Sequence, residues 1–373
     1  MLIKSVAVYE CLQPLKTPFT LASSGLIDHL NGIYVKLDTC EGIYGIGEVR
    51  GNCEYFTGDT PEAVIATSSN IIAPRMLGHD PQNINEMHEV IEKCIVGNKA
   101  AKCACDCAVY DLAAKIAEVP VSKFLGGKRR DVIVSEENIP FMSVSEARAL
   151  AHKYLADGSR FIKVRVGADD FSYDVNRVSA VWNEICASGF ANEVVYSVDA
   201  NNTWQLNEVV HKVNELSKFG VSIVEQPCSF YPVRKINEIK KQCPVKIFGD
   251  EEAATLEDVV RLNECGIIDG FHLKLIKCGG ITNAVKLMSY AAANGLEYMV
   301  GGMDEGMLAV AAAAQCAAIA ETDMFELHGY QRIGKDPTSG LKTEGSKLKV
   351  PEKNGLGVDV DESMLTKRYE RGQ

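Results

Sequence analysis

Four short apolar segments between residues 197 and 277 each end in a carboxylate or a lysine, and these ends recur at a nearly constant interval. They are Asp199, Glu225, Asp250 and Lys274, separated by 26, 25 and 24 residues. Such an interval is about the length of one strand, one helix and two loops. A parallel β/α barrel sets the ends of successive strands side by side around one rim. The spacing therefore predicts a barrel in which these four side chains share one cavity.

The alternation of strand and helix patterns extends on both sides of this stretch. One helical pattern opens with Ser143 and Glu146, at the spacing of a capping box. Alternating elements with apolar strands indicate a parallel sheet, and eight strands favour its closure into a barrel. The predicted strands cover residues 132–140, 161–167, 193–200, 221–226, 245–250, 270–277, 297–301 and 324–327.

An α+β domain precedes the predicted barrel, over roughly residues 1–120. Its strand patterns are followed by helical patterns, and the tail 335–373 is expected to return to it. The chain of 373 residues is too long for one ordinary core, which agrees with two domains. The predicted strands of the first domain cover residues 3–10, 32–39 and 42–49.

Segment 12–31 separates the first two of these strands. It contains prolines together with Ser24 and Asp28. We predict a loop here. Connections of this length often serve as lids or binding loops, although a plain surface loop is the simpler alternative.

Composition restricts the partners. The net charge of −11 is spread without long runs, so neither nucleic acid nor an anionic membrane surface is expected to bind. No apolar run reaches the ~20 residues of a membrane span, and no secretory signal is recognisable. With 13 cysteines, we expect reduced thiols and a cytoplasmic protein. Three of them, Cys103, Cys105 and Cys107, follow a helical pattern that turns neighbours apart, so we predict buried apolar side chains rather than a metal site.

Three carboxylates on neighbouring strand ends would repel one another unless a cation lay among them. A set of oxygen ligands suits a hard cation, Mg²⁺ before Mn²⁺. Zinc prefers histidine or cysteine, and we identify neither at these positions. The alternative is that Asp199, Glu225 and Asp250 are helix caps or ion-pair partners.

Cationic side chains end two of the predicted strands. Lys163 and Arg165 are two residues apart, which places both on one face of their strand, and Lys274 enters from the opposite side of the ring. An ammonium close to other positive charge has a lowered pKa, so Lys274 is predicted to act as a base near neutral pH. The alternative is that these cations only balance the carboxylates. Such a site suits removal of a proton next to a carboxylate, since a dication stabilises the resulting enediolate.

At these positions the chain resembles the enolase superfamily, most closely its muconate-lactonizing-enzyme and mandelate-racemase-like branch. The resemblance runs over nearly the whole chain. It rests on several motifs in the order and spacing of that family: A-K-C-A-C-D-C-A-V-Y-D-L-A-A-K at 101–115, F-L-G-G at 124–127, D-A-N at 199–201, V-E-Q-P at 224–227, G-D-E at 249–251, K-L-I-K-C-G-G at 274–280, G-G-M-D-E-G at 301–306 and G-L-G-V at 355–358.

The resemblance implies a (β/α)7β modified TIM barrel over 126–334 beneath an α+β capping domain formed by 1–125 and completed by 335–373. It implies that Asp199, Glu225 and Asp250 hold Mg²⁺ and that Lys274 is an acid–base lysine. Segment 12–31 would be a specificity loop, assisted by 51–58, and Glu305 would face the pocket.

One residue departs from the family pattern. The second strand usually carries Lys-x-Lys, with the second lysine as a base, and here that position is Arg165. A guanidinium stays protonated near neutral pH, although it can hold a carboxylate. The departure leaves Lys274 as the favoured base, with Lys163 as its partner if it can reorient, and it favours dehydration over racemisation or epimerisation.

Several functions stay open. A muconate-type cycloisomerase, a Schiff-base lyase using Lys274 and a non-catalytic ligand-binding relative are alternatives. The substrate is expected to be a small carboxylate, and the acidic residues Asp28, Asp304 and Glu305 suggest that it carries an amino group. Ser24 is a further predicted substrate contact, and a homo-oligomer is expected.

Overall fold

The computed structural model describes residues 1–21 and 25–372. The chain begins with an antiparallel sheet whose strand order is β17 (Thr366–Gly372), β1 (Ile3–Leu21), β2 (Gly25–Thr39) and β3 (Tyr44–Arg50). The last strand of the chain therefore pairs with the first, and residues 366–372 return to the N-terminal sheet.

The prediction of a loop over 12–31 is wrong for the described residues of that segment. Strands β1 and β2 continue far beyond the predicted ends and pair as a long hairpin, with Pro14 opposite His29 and Phe19 opposite Ile27. The pairing of β1 with β17 stops at Glu10. Beyond that residue this side of β1 has no strand partner among the described residues except an isolated bridge between Leu15 and Ile333, and a proline without an N–H group is tolerated at such an edge. The prolines therefore indicated an edge strand rather than a loop.

Helix α5 (Lys99–Ile116) lies between the N-terminal sheet and the barrel and is buried along nearly its whole length. A Cβ atom at Gly47 of β3 would lie 2.3 Å from the Ala104 carbonyl oxygen, so this close approach of backbones requires glycine. The predicted burial of the three cysteines is confirmed. The helices before the barrel are α1 (Glu54–Thr57), α2 (Pro61–Thr67), α3 (Ala73–Met76), α4 (Ile84–Lys93), α5 (Lys99–Ile116) and α6 (Val121–Phe124), with a π-helical turn (Ser68–Ile72) between α2 and α3.

Eight parallel strands follow in sequence order around the barrel, each pairing with its neighbours in the chain. The predicted first barrel strand divides in two, because β4 (Val132–Val134) pairs with the tail and only β5 enters the barrel. The barrel strands are β5 (Glu137–Ile139), β6 (Phe161–Arg165), β7 (Val195–Asp199), β8 (Ile223–Glu225), β9 (Lys246–Gly249), β10 (Gly270–Lys274), β11 (Glu297–Gly301) and β12 (Phe325–Glu326).

The gap between the first and last barrel strands is bridged by hydrogen bonds, two of which are donated by backbone N–H groups. The Glu136 N–H donates to the Phe325 carbonyl at 2.5 Å, and the Leu327 N–H donates to Ser135 Oγ at 2.8 Å. These bonds bring the side chains of the first and last strands to the same rim. The eight strands therefore surround a single barrel interior.

Helices cover the outside of the barrel. The predicted capping box is present, since Ser143 Oγ accepts the Glu146 N–H while the Glu146 side chain accepts the Ser143 N–H. The barrel helices are α7 (Val144–Ala156), α8 (Phe171–Ala187), α9 (Val209–Ser217), α10 (Val233–Lys240), α11 (Leu256–Glu264), α12 (Leu275–Cys278), α13 (Ile281–Asn294) and α14 (Met307–Ile319).

The tail consists of short elements. In the described residues, no helix combines the length and apolar character needed to cross a bilayer. The tail elements are β13 (Thr338–Ser339), β14 (Lys342–Glu344), β15 (Lys347–Lys349), β16 (Asp359–Val360) and the 3-10 turns Gly329–Arg332 and Glu362–Met364.

Candidate active site

The three predicted carboxylates lie at the same end of the barrel. Asp199 ends β7 and is in register with Glu225, which ends β8. Asp250 directly follows β9. All three are at most 2% exposed. Neighbouring parallel strands thus bring these acids to one rim, as their spacing predicted.

Lys163 is held by three carboxylates. Its Nζ lies 2.9 Å from Glu136 Oε1, 2.9 Å from Glu225 Oε2 and 2.8 Å from Glu326 Oε2. Burial disfavours the ammonium, but the carboxylates outweigh it and raise the pKa of Lys163 well above its ordinary value. Lys163 is therefore a fixed cation in the floor of the site.

Arg165 pairs with Asp199 at the mouth of the barrel. Its Nη1 lies 2.6 Å from Asp199 Oδ2 and donates to Asn201 Oδ1 at 2.6 Å. The Asn201 N–H donates to Asp199 Oδ1 at 2.9 Å. Burial raises the pKa of Asp199 to about 6, even though Arg165 opposes this shift. The guanidinium stays charged and occupies the position at which the family pattern places a lysine.

Asp250 is shared by two lysines. Lys274 Nζ lies 2.6 Å from its Oδ2 and Lys277 Nζ 2.5 Å from its Oδ1. Burial would raise the pKa of Asp250, but Lys274 and Lys277 hold it well below its usual range. Lys277 also donates to the carbonyls of Asp250 and His272.

The predicted lowering of the Lys274 pKa is wrong for this arrangement. Burial lowers it, but the negative charge of Asp250, Glu326 and Glu225 prevails and raises the pKa of Lys274 above its ordinary value. Lys277 is the ammonium whose pKa is lowered, by burial first and by Lys274 as well. The neighbouring positive charge that we expected to act on Lys274 is outweighed by the carboxylate in direct contact with it.

His272 is a site residue that the sequence reasoning missed. It is fully buried on β10, with Nδ1 2.8 Å from Glu225 Oε1 and Nε2 3.6 Å from Glu326 Oε2. One signal was available, because His272 is two residues before Lys274 and therefore faces the same side of the strand. Lys277 and the two acids Glu136 and Glu326 were missed as well, and Glu326 lay inside a predicted strand.

The donor atoms at the rim fit a divalent cation. Glu225, Asp250 and His272 each offer one ligand atom, and these atoms lie within 4.8 Å of one another. Asp199 stands outside this group, with Oδ2 paired to Arg165. Buried carboxylates suit Mg²⁺ or Mn²⁺. The His272 imidazole adds a nitrogen donor beside these carboxylates that the sequence reasoning did not identify, and transition metals also accept such a donor.

The predicted substrate contacts differ in burial. Glu305 is buried and accepts the Met303 N–H at 3.1 Å, and burial raises its pKa to about 7. Asp304 is half-buried, 3.3 Å from Arg332 Nη1. Asp28 is exposed on β2 beside His29. Ser24 lies outside the described residues.

Helix α1, inside the predicted assisting segment 51–58, covers two cations with consecutive aromatic rings. Lys274 Nζ lies 4.8 Å from the Phe56 ring centroid, and the Arg50 guanidinium carbon lies 5.6 Å from the Tyr55 centroid. The two rings are 6.4 Å apart. The N-terminal domain therefore contributes directly to the surroundings of Lys274.

Comparison with known proteins agrees with this architecture. Residues 3–126 match the profile of the mandelate racemase / muconate lactonizing enzyme N-terminal domain, and residues 146–364 match the enolase C-terminal domain-like family. The L-Ala-D/L-Glu epimerase of Clostridium acetobutylicum is 29% identical over 367 residues, which cover 96% of this chain and 99% of that protein.

Solved structures extend the similarity to the whole fold. The N-succinyl Arg/Lys racemase from Bacillus cereus has a TM-score of 0.90 at 26% identity and covers 100% of this chain and 99% of its own. The dipeptide epimerase from Cytophaga hutchinsonii was solved with Mg and the dipeptide D-Ala-L-Val. It has a TM-score of 0.88 at 27% identity, and the match covers 98% of this chain and 99% of the epimerase. With both of its domains matched, the chain is an enzyme of the mandelate racemase / muconate lactonizing enzyme branch of the enolase superfamily.

Proposed function

We propose that this enzyme removes the proton next to the carboxylate of a small substrate in an Mg²⁺-dependent reaction, with Lys274 as the base. The single observation that supports this most is the contact between Lys274 Nζ and Asp250 Oδ2 at 2.6 Å. It sets an amine beside the group of buried ligand atoms at the rim. Asp199, Glu225 and Asp250 are the proposed ligands, and His272 holds Glu225 in place through its Nδ1 contact.

The bound dication supplies stabilisation of the negative charge that develops on the substrate carboxylate. The chain's own residues handle the proton. A dication held by Asp250 would offset the carboxylate charge that raises the pKa of Lys274, which would bring the amine towards the range of a base. Lys274 then accepts the α-proton at Nζ, while the electrons of the broken C–H bond pass to the carboxylate as an enediolate. Phe56 shields the amine from water.

The cations on the opposite face of the substrate, Arg165 and Lys163, are poorly suited to act as a second base. Arg165 stays protonated, and Lys163 is surrounded by three carboxylates that keep it charged. Racemisation requires proton exchange on both faces, whereas elimination can use one lysine as base and then as acid. We therefore favour dehydration, in which the Lys274 ammonium returns its proton to the departing β-hydroxyl group to form water.

Epimerisation is the second candidate, and the similarity to L-Ala-D/L-Glu epimerase and N-succinyl Arg/Lys racemase supports it. A substrate that is an amino acid, a hydroxy-amino acid or a derivative of one agrees with those names and with the acidic residues Asp304 and Glu305. A muconate-type cycloisomerase and Schiff-base chemistry at Lys274 remain less favoured. Cytoplasmic location and a homo-oligomeric state stay predictions, and all thirteen cysteines are free in the described part of the chain.

Proton exchange in D₂O tests the proposal on any compound that the site accepts, whether or not that compound is the natural substrate. Dipeptides, N-succinyl amino acids and β-hydroxy amino acids would be incubated with Mg²⁺ and the enzyme, and NMR would follow loss of the α-proton signal. Exchange alone indicates proton abstraction, an alkene or oxo product indicates elimination, and a second diastereomer indicates epimerisation. The proposal fails if no compound exchanges, or if exchange continues in excess EDTA.

A further inference from the structure

Arg50 is a buried cation at the junction of β3 and the barrel, and it forms no ion pair with any described carboxylate. The residue is 1% exposed. Its Nε donates to the Asn52 carbonyl at 3.0 Å. Its Nη1 makes only two long contacts of 3.4 Å, to the Tyr55 hydroxyl and the Asp304 carbonyl. Its Nη2 has no hydrogen-bond partner among the described residues.

A buried charge in this state is costly, because it has lost its hydration and has no described carboxylate in direct contact with it. The two acids whose negative charge acts on Arg50, Asp304 and Glu305, make their direct contacts elsewhere. The Asp304 carboxylate contacts Arg332 Nη1 at 3.3 Å. Glu305 accepts the Met303 N–H, and burial raises its pKa to about 7, so that a large share is neutral at neutral pH. The guanidinium therefore retains an unused capacity to bind an anion.

The position of Arg50 relates it to the candidate base. Lys274 is in register with Gly301, and the turn after Gly301 leads to Asp304, whose carbonyl contacts Arg50. The two cations are also covered by the consecutive rings of Tyr55 and Phe56. Arg50 thus lies along the cover of the site, separated from Lys274 by the neighbouring rings of Tyr55 and Phe56, whose centroids are 6.4 Å apart.

We propose that Arg50 binds a second carboxylate of the substrate, remote from the carbon that loses its proton, so that the enzyme selects dicarboxylates. This inference rests on the proposed function, since it places the reacting end of the substrate at Lys274. A planar guanidinium with a free N–H group matches the geometry of a carboxylate. The second carboxylate would accept a hydrogen bond from Arg50 Nη2, and a second one from Nη1 in place of its two long contacts.

Calorimetric titration of the full-length, Mg²⁺-loaded protein tests this selection. The probes are dicarboxylates from succinate to pimelate, each compared with the monocarboxylate of equal carbon number. We expect at least one dicarboxylate to bind about tenfold or more tightly than its partner, because a charge-assisted hydrogen bond is of that magnitude. Arg50→Gln should abolish the preference, and Arg234→Gln, which removes an exposed arginine of α10, should retain it.

Two outcomes overturn the inference: no chain length shows a preference in the wild type, or the preference persists in Arg50→Gln. If Arg50→Gln does not fold, as judged by circular dichroism, the wild-type titration still shows whether dicarboxylates are preferred. Arg50→Lys, which keeps the charge but loses the planar fork, should then show a reduced preference. Proton exchange in D₂O on the same compounds separates the two proposals. A preference without exchange contradicts only the reaction, and exchange without a preference contradicts only the role of Arg50.

Discussion

Lys274 Nζ and Asp250 Oδ2 lie 2.6 Å apart, so the candidate base and a candidate metal ligand form one ion pair. Each group therefore controls the other. The carboxylate raises the pKa of the amine, and the amine lowers the pKa of the carboxylate. A divalent cation held at Asp250 would offset the negative charge that now raises the pKa of Lys274.

Replacing the candidate base should stop the chemistry while leaving the fold intact. In Lys274→Ala, Asp250 keeps its contact with Lys277, so the buried carboxylate is not left unpaired. We expect α-proton exchange in D₂O to fall by about 10²- to 10⁴-fold, the usual contribution of a general base. The control is Lys218→Ala, which removes an exposed lysine and should exchange at the wild-type rate. Wild-type exchange in Lys274→Ala would reject this residue as the base.

Restoring the lysine of the family pattern at position 165 should allow proton exchange on the second face of the substrate. Arg165→Lys places an amine where the guanidinium now pairs with Asp199, and a lysine can exchange protons near neutral pH when its pKa is lowered. We expect inverted product to appear or increase, measured by chiral chromatography after incubation in D₂O. Arg165→Met is the matched control and should not gain inversion. An unchanged stereochemical outcome in Arg165→Lys would show that Arg165 does not restrict the reaction to one face.

Removing the central cation should destabilise the protein. Lys163→Met leaves Glu136, Glu225 and Glu326 buried without the ammonium that neutralises them. Breaking a buried ion pair in this way costs about 3–5 kcal/mol in the free energy of unfolding. Urea denaturation would measure the loss. The exposed pair of Lys93 and Glu89 supplies the control, because Lys93→Met should change stability by no more than about 1 kcal/mol; equal effects would contradict a structural role for Lys163.

Metal binding should be visible without turnover. A ligand that binds only the folded state raises its stability by mass action, so Mg²⁺ should raise the thermal midpoint of the EDTA-treated protein. Glu225→Gln should reduce this shift, since it removes one charged ligand. The exposed substitution Glu89→Gln should preserve it. A wild-type midpoint that does not respond to Mg²⁺ would contradict the metal assignment.

Stability should depend on pH through Asp106, which joins α5 to α13. Its carboxylate accepts the Thr282 N–H at 3.0 Å and the Thr282 hydroxyl at 2.7 Å, and burial raises its pKa from 3.8 to about 6. The folded state therefore binds the proton more tightly than the unfolded state. The contribution is fully present below pH 4 and is lost as the pH rises towards 6.

The comparison with Asp106→Asn isolates this contribution. Asparagine can still accept the Thr282 N–H and donate to its hydroxyl, but it does not titrate. The stability of the wild type relative to Asp106→Asn should fall by about 3 kcal/mol between pH 4 and pH 7, measured by urea denaturation. Asp323→Asn, at an almost fully exposed aspartate, should show no such trend. A constant difference between wild type and Asp106→Asn would reject a raised pKa.

The sequence by itself determined the alternation of barrel strands and helices and the rim of the site, although not the long hairpin over residues 12–31. Local periodicity specifies which residues face inward along a strand, and the regular interval from Asp199 to Asp250 was enough to bring those carboxylates to one end of a parallel barrel. The capping box at Ser143 depends only on residues three apart, so it too was predictable.

Only the tertiary structure decided which charges meet across the ring. Whether the pKa of Lys274 rises or falls depends on its distance to Asp250 compared with Lys277, and closure of the barrel sets those distances. The three carboxylates around Lys163, the imidazole of His272 beside Glu225 and the isolated guanidinium of Arg50 come from elements far apart in the chain. Electrostatic energies depend on separation in space, and strand periodicity carries no information about that separation.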